Sequence, residues 1–178
     1  LYHSGAVAER IASAVGDKLG KPPIVEKFDE LAEKFLPQLV IVRLVNDQVT
    51  ISIDSSGALL HRRGYRQAVG KAPLRETLAA GILIASGWEG KSPLIDPFCG
   101  SGTIPIEAAL LARNIAPGRN RRFAFMDWPG YDHATWKAIL SEAKEKECES
   151  NAIIMGSDRD AGVIQMAQNN AERAGMAQ

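Results

Sequence analysis

Two carboxylates stand where a ligand would meet them. Asp96 follows the apolar run Pro93-Leu94-Ile95 and directly precedes Pro97-Phe98-Cys99-Gly100-Ser101-Gly102-Thr103. Asp158 closes a second apolar run, Ala152 to Ser157. Short apolar runs of this kind read as buried strands, and the Ala-rich stretch from Thr103 to Arg113 reads as a helix. Gly100 and Gly102 let the backbone turn tightly and let a ligand approach it closely. Strand, glycine loop and helix build a nucleotide-sized pocket at the carboxyl end of an α/β sheet, and an acid ending the next strand can accept both hydroxyls of a ribose.

The spacing argues against a dinucleotide. The pattern is Gly100-x-Gly102-x-x-Pro105, so the third glycine is missing. A ribose-binding acid is expected roughly 20 residues further on. Asp158 lies 56 residues after Gly102, which disfavours an NAD-dependent enzyme. The helix start also lacks the lysine of a P-loop. A carboxylate placed before the glycines repels a pyrophosphate but holds an ammonium group. A cationic ligand that carries a ribose is implied, and S-adenosylmethionine fits, with its amino acid head, sulfonium and adenosine.

The octapeptide Asp96 to Thr103 resembles the cofactor loop of class I methyltransferases. It is most similar to that of the THUMP-linked RNA guanine-N2 methyltransferases, the group that includes the bacterial 23S rRNA enzymes. Three further stretches match the same group: Leu60-His61-Arg62-Arg63-Gly64-Tyr65-Arg66, Lys71-Ala72-Pro73-Leu74-Arg75-Glu76-Thr77-Leu78-Ala79 and Asn114-Ile115-Ala116-Pro117-Gly118. The resemblance covers most of the chain from about residue 50 onward. It implies an α/β fold, the start of a doubly wound parallel Rossmann-like methyltransferase sheet, preceded by part of an α+β THUMP-like RNA-binding domain. Residues 1–66 would be the C-terminal part of that RNA-binding domain, and residues 67–178 the cofactor-binding part of the methyltransferase.

By the same resemblance, Asp96, Pro97, Phe98, Cys99, Gly100, Ser101, Gly102 and Thr103 hold the methionine portion of S-adenosylmethionine, and Asp158 the ribose. Pro73 and Thr77 belong to a helix start that packs over the pocket. The implied activity is methylation of a guanine N2 in 23S rRNA. Enzymes of this kind carry an Asn/Asp-Pro-Pro-Tyr/Phe tetrad after a later strand, which positions the target amine for in-line transfer. No such tetrad occurs in residues 1–178, so no catalytic residue is assigned. The chain is expected to be a fragment that does not turn over by itself. Two rivals stand beside this reading: an adenine-N6 DNA or RNA methyltransferase, and a non-catalytic RNA-binding protein with a degenerate Rossmann-like domain.

Arg62, Arg63, Tyr65 and Arg66 combine guanidiniums with an aromatic ring, a set that suits phosphates and unstacked bases of RNA. They could equally form a hinge that pins two domains together. Arg113, Arg119, Arg121 and Arg122 make a second basic cluster. These local patches matter because 21 basic residues are balanced by 21 acidic ones, which argues against a generic nucleic-acid coat. Cys99 has no histidine near it in sequence and reads as a small loop-filling side chain. With Cys148 as the only other cysteine, neither a disulfide framework nor a zinc cluster is expected. No metal, no membrane and a cytoplasmic location are the expectation.

The elements that must position these groups follow from periodicity and turn residues. Residues 4–19 read as a helix with Ser4 as N-cap, stopped by Gly20. A second short helix is expected over Phe28 to Phe35. Leu39–Leu44 and Val49–Ile53 flank Asn46-Asp47 as a hairpin with one buried face. Ala58 to Tyr65 reads as a third strand. A helix starts at Pro73 and ends at Gly87. Asn114 to Tyr131 reads as irregular, Asp132 to Glu149 as a helix, and Asp160 as the cap of a last helix that Gly175 ends.

Overall fold

The computed structural model describes residues 3–25, 38–66 and 74–177. The helix expected over Phe28 to Phe35, and Pro73, lie outside the described residues.

The elements run α1 (Ser4–Leu19), β1 (Val40–Val45), β2 (Gln48–Ile53), α2 (Glu76–Ala85), β3 (Leu94–Asp96), α3 (Thr103–Ala112), a 3-10 turn (Ala124–Asp127), α4 (His133–Glu145), β4 (Ile154–Gly156) and α5 (Ala161–Ala174). β1 and β2 form an antiparallel hairpin, with Asn46 and Asp47 both at positive φ. This primed turn follows the right-handed twist of the strands. β3 and β4 pair in parallel, Leu94 opposite Ile154 and Asp96 opposite Gly156, with α3 and α4 in the connection.

α3 is the hub. Its sequence, TIPIEAALLA, is apolar nearly all round, the mark of a helix covered on several sides. It packs against β3 and β4, against α2 and against α5. Ala79, Ala80 and Leu83 of α2 are buried, as is Ala108 of α3. Small side chains on both helices let their backbones approach closely. On the other side, Ile106 and Leu110 meet Tyr65, Ile115 and Ala174 in the main apolar cluster. The opposite face of the β3–β4 pair, marked by Ile95 and Met155, is exposed among the described residues.

Four expectations change. α1 begins at Ser4 itself, so His3 occupies the cap position and no side chain caps the helix. The β1–β2 hairpin has no buried face among the described residues. Ala58 to Tyr65 forms turns rather than a strand. The reason is chemical: the Arg121 guanidinium reaches the carbonyls of Ser56, Ala58 and Leu59, which a neighbouring strand would otherwise take. α4 stops at Glu145 rather than Glu149, and the Cys148 N–H instead donates to the Arg113 carbonyl at 3.0 Å.

Ile106 is 3% exposed at the centre of the apolar cluster. Ile106→Ala should lower the unfolding free energy by about 2–4 kcal/mol, read as a shift of the urea midpoint at unchanged slope.

Candidate functional site

β3 delivers Asp96 to the edge of the sheet, and the chain then folds back on itself. Asp96 Oδ1 accepts the Phe98 N–H at 3.1 Å. The Cys99 N–H donates to the Ser157 carbonyl, and the Ser157 N–H to the Asp96 carbonyl, both at 2.9 Å. The loop is thereby sewn to the end of β4. Asp158 completes the seam: Oδ2 accepts the Gly100 N–H and Oδ1 the Asp160 N–H, each at 3.1 Å. Those two N–H groups, that of Asp160 first, hold the Asp158 carboxyl below its ordinary range. A carboxylate has roughly four acceptor positions, so Asp158 can bridge the loop and still accept hydroxyls from a ligand. Capping of α5 falls to Asp160, whose Oδ1 accepts the N–H groups of Gly162 and Val163 at 2.8 and 3.2 Å.

The two glycines do different work. Gly100 sits at φ 53° with open space where a Cβ would be. Gly102 sits at φ 85°, and a Cβ there would stand 3.0 Å from that of Ala167 in α5. The first leaves room beside the loop, and the second permits the helix packing. Phe98 is 86% exposed at the same rim. Asp96, Asp158, the open backbone at Gly100 and a bare aromatic ring thus share one edge. An ammonium, ribose hydroxyls and a flat heterocycle match that donor and acceptor set. Among the described hydrogen bonds none uses the Ser101 N–H, which stays open to a carboxylate.

Cys99 is buried under the loop. Burial first, then the Asp96 and Asp158 carboxylates, pushes its thiol up, away from the thiolate form. Thr103 is 5% exposed, and its hydroxyl accepts a hydrogen bond from Arg66 Nη2 at 2.6 Å. Its side chain therefore faces the protein interior rather than a ligand. Thr77 is exposed on the first turn of α2.

The basic stretch behaves as an internal strap. Arg63 Nη1 lies 3.0 Å from Glu107 Oε2, and the Tyr65 hydroxyl donates to Glu107 Oε1 at 2.9 Å. Arg66 donates from Nη2 to the Leu74 carbonyl at 2.7 Å and to Thr103, and its Nε lies 3.8 Å from Glu76 Oε1. Tyr65 is buried, and Arg63 and Arg66 are nearly so. These three side chains are bonded within the protein. Burial, then the nearby carboxylates, raises the Tyr65 phenol. Arg62 is half-buried, with no side-chain bond among the described ones. In the second cluster Arg119 donates to the Ala174 carbonyl at 3.0 Å and Arg121 holds the 56–59 turn, both part-buried, whereas Arg122 is exposed and pairs with Asp127 at the surface.

Four side chains escaped the reading of the sequence: Glu76, Glu107, Asn170 and Arg173. Glu107 was detectable, as the lone charge in an otherwise apolar helix. It is fully buried, and burial, opposed by Arg63 and by the Tyr65 hydrogen bond, raises its carboxyl to about 6.

A profile of the RMKL-like methyltransferase domain matches residues 63–178, starting at the first residue of the strap. The chain is 41% identical over 166 residues to the ribosomal RNA large subunit methyltransferase K/L of Pseudoalteromonas atlantica. That match covers 88% of this chain but only 24% of the relative. A crystal structure of a predicted N6-adenine-specific DNA methylase from Listeria monocytogenes superposes with a TM-score of 0.79 at 39% identity, over 97% of this chain and 44% of that one. The structure of SMU.472, assigned as a methyltransferase and complexed with SAH, superposes at 0.78 with 36% identity, over 97% and 44%.

The raised Glu107 carboxyl fixes a pH dependence. Between 4.5 and about 6 the folded protein holds a proton that the unfolded chain has released, so this group's contribution to stability falls as pH rises through that window. Wild type minus Glu107→Gln unfolding free energy, from denaturant titrations at pH 4.5 and 6.5, should decline by about 1.5 kcal/mol. A flat difference would contradict the burial argument.

Proposed function

The chain belongs to the RMKL-like methyltransferase family, and from that premise we propose that it forms the S-adenosylmethionine-binding part of an enzyme that methylates a guanine N2 in 23S rRNA. The observation that carries the reading is the pair Asp96 and Asp158, on adjacent strand ends, flanking a glycine loop with open space at Gly100. Support for the cofactor comes from the SAH complex of SMU.472, and support for the substrate from the name of the Pseudoalteromonas relative.

In this reading Asp96 holds the ammonium group, and the loop from Pro97 to Thr103 cradles the amino acid end with its backbone. Thr103 contributes its backbone alone, since its hydroxyl is taken by Arg66. Asp158 accepts the ribose hydroxyls while keeping Gly100 in place. Phe98 offers an apolar edge, and Cys99 fills the space beneath. Thr77, and Pro73 beyond the described residues, line the start of the helix over the pocket. The bound cofactor supplies an electrophilic methyl group. The chain's own residues hold and orient it. Residues 1–66 act as part of a THUMP-like RNA-binding module, residues 67–178 as the cofactor part, and Arg62, just ahead of the strap, is the arginine left to meet an RNA phosphate. No helix among the described residues is long and apolar enough to cross a membrane; a cytoplasmic site of action follows from the RNA substrate.

A second reading, adenine-N6 methylation of DNA or RNA, is favoured by the name of the Listeria structure. The test uses the full protein. Titration with SAH should give saturable binding that Asp96→Ala and Asp158→Ala each weaken by about tenfold or more. Tritiated cofactor should label 23S rRNA. Label on DNA alone would move the assignment to the second reading, and a folded protein that takes up no SAH would end both.

A further inference from the structure

Two buried polar paths lead from the 63–66 strap to the glycine loop, and both arrive at loop atoms that no ligand would touch. The first is direct: Arg66 Nη2 donates to the Thr103 hydroxyl at 2.6 Å, while the same nitrogen holds the Leu74 carbonyl just ahead of α2 at 2.7 Å. The second runs through α5. Arg173 Nε donates to the Tyr65 carbonyl at 2.7 Å, and its Nη2 donates to Asn170 Oδ1. Asn170 Nδ2 donates in turn to the Ser101 carbonyl at 3.0 Å.

Asn170 has no solvent exposure at all. A buried amide is retained where every group on it has a partner, and breaking one leaves its opposite number unsatisfied. The Ser101 carbonyl is such an opposite number. It points back into the helix layer, while the next N–H, that of Gly102, donates to the Cys99 carbonyl at 2.9 Å within the loop. The amide also cannot swap its ends, because Arg173 only donates and so demands the oxygen. The loop is therefore held from the helix side by Asn170 and Arg66, as it is from the sheet side by Asp158.

We propose that Asn170 and Arg66 are positioning residues for the cofactor loop, which couple the order of that loop to the strap at residues 63–66. The proposal rests on the cofactor reading given above, since it assigns the loop a ligand. It adds that neither residue contacts this ligand, and that displacing the strap loosens the loop.

The test needs a readout that does not depend on the ligand, and Cys99 provides one. It is buried within the loop, and in a Cys148→Ser background it is the only thiol of the chain. Its alkylation rate by N-ethylmaleimide at fixed pH then reports opening of the loop. Asn170→Asp keeps the shape and the Arg173 contact but turns the donor facing Ser101 into an acceptor. Arg66→Met keeps most of the stem and removes the bond to Thr103. Leu83→Ala serves as control, a buried truncation in α2 that lies outside the Tyr65 cluster and bonds nothing in the loop. Compared at equal distance below each variant's own Tm, Asn170→Asp and Arg66→Met should speed Cys99 alkylation by about tenfold over the control. Both should weaken SAH binding by a similar factor and, in the full protein, raise the cofactor KM more than they lower kcat. Alkylation no faster than in Leu83→Ala would overturn the proposal, whatever the SAH titration gives. Wild type that takes up no SAH would remove the cofactor reading alone, and the alkylation rates would still decide whether these residues hold the loop.

Discussion

A carboxylate without solvent exposure can sit inside a helix layer only if other groups come to it. Glu107 is in that position, in the middle of α3. Leaving such a charge unpartnered costs several kcal/mol, and even a paired one is weak evidence for net stability. Arg63 and the Tyr65 hydroxyl supply the partners. That requirement lays residues 63–66 along α3, which in turn places the Tyr65 ring in the apolar cluster and carries Arg66 to Thr103. One buried acid thus decides the path of the segment that joins the hairpin half of the chain to the methyltransferase half.

The glycine loop is the second constrained object, and it inherits its shape from both layers. On the sheet side, backbone bonds to Ser157 and the Asp158 carboxylate fix it to β4. On the helix side, Asn170 and Arg66 fix Ser101 and Thr103. Gly102 permits α5 to approach at the distance those bonds need. A loop held at so many points outside its ligand-facing edge is preorganised, so little ordering is left for the ligand to impose on binding.

The strands flanking the loop, the helix after it and Asp160 as a cap were all legible, because each rests on local rules: an apolar run, a glycine pair, a side chain bonding an N–H two residues on. The same holds for the Asn46-Asp47 turn. Legibility failed wherever a distant partner decided. Ala58 to Tyr65 follows a turn and reads locally as a further strand, yet the Arg121 guanidinium takes its first carbonyls. Arg63, Tyr65 and Arg66 have the composition of an RNA-binding surface, and only their burial against Glu107 and Thr103 separates that from an internal pin. Asn170 and Arg173 sit on a helix of ordinary amphipathic pattern, where nothing local marks them.

By itself the sequence determined the α/β alternation, the glycine loop at the strand ends, and the two carboxylates, Asp96 and Asp158, that stand beside it. These depend on periodicity and turn chemistry, which act over a few residues. Only the tertiary structure decided which polar side chains face the ligand and which face the protein. A guanidinium, a hydroxyl or an amide has the same chemistry in either place. What separates them is whether folding brings a buried partner within about 3 Å, and that is a property of packed elements rather than of the residues that compose them.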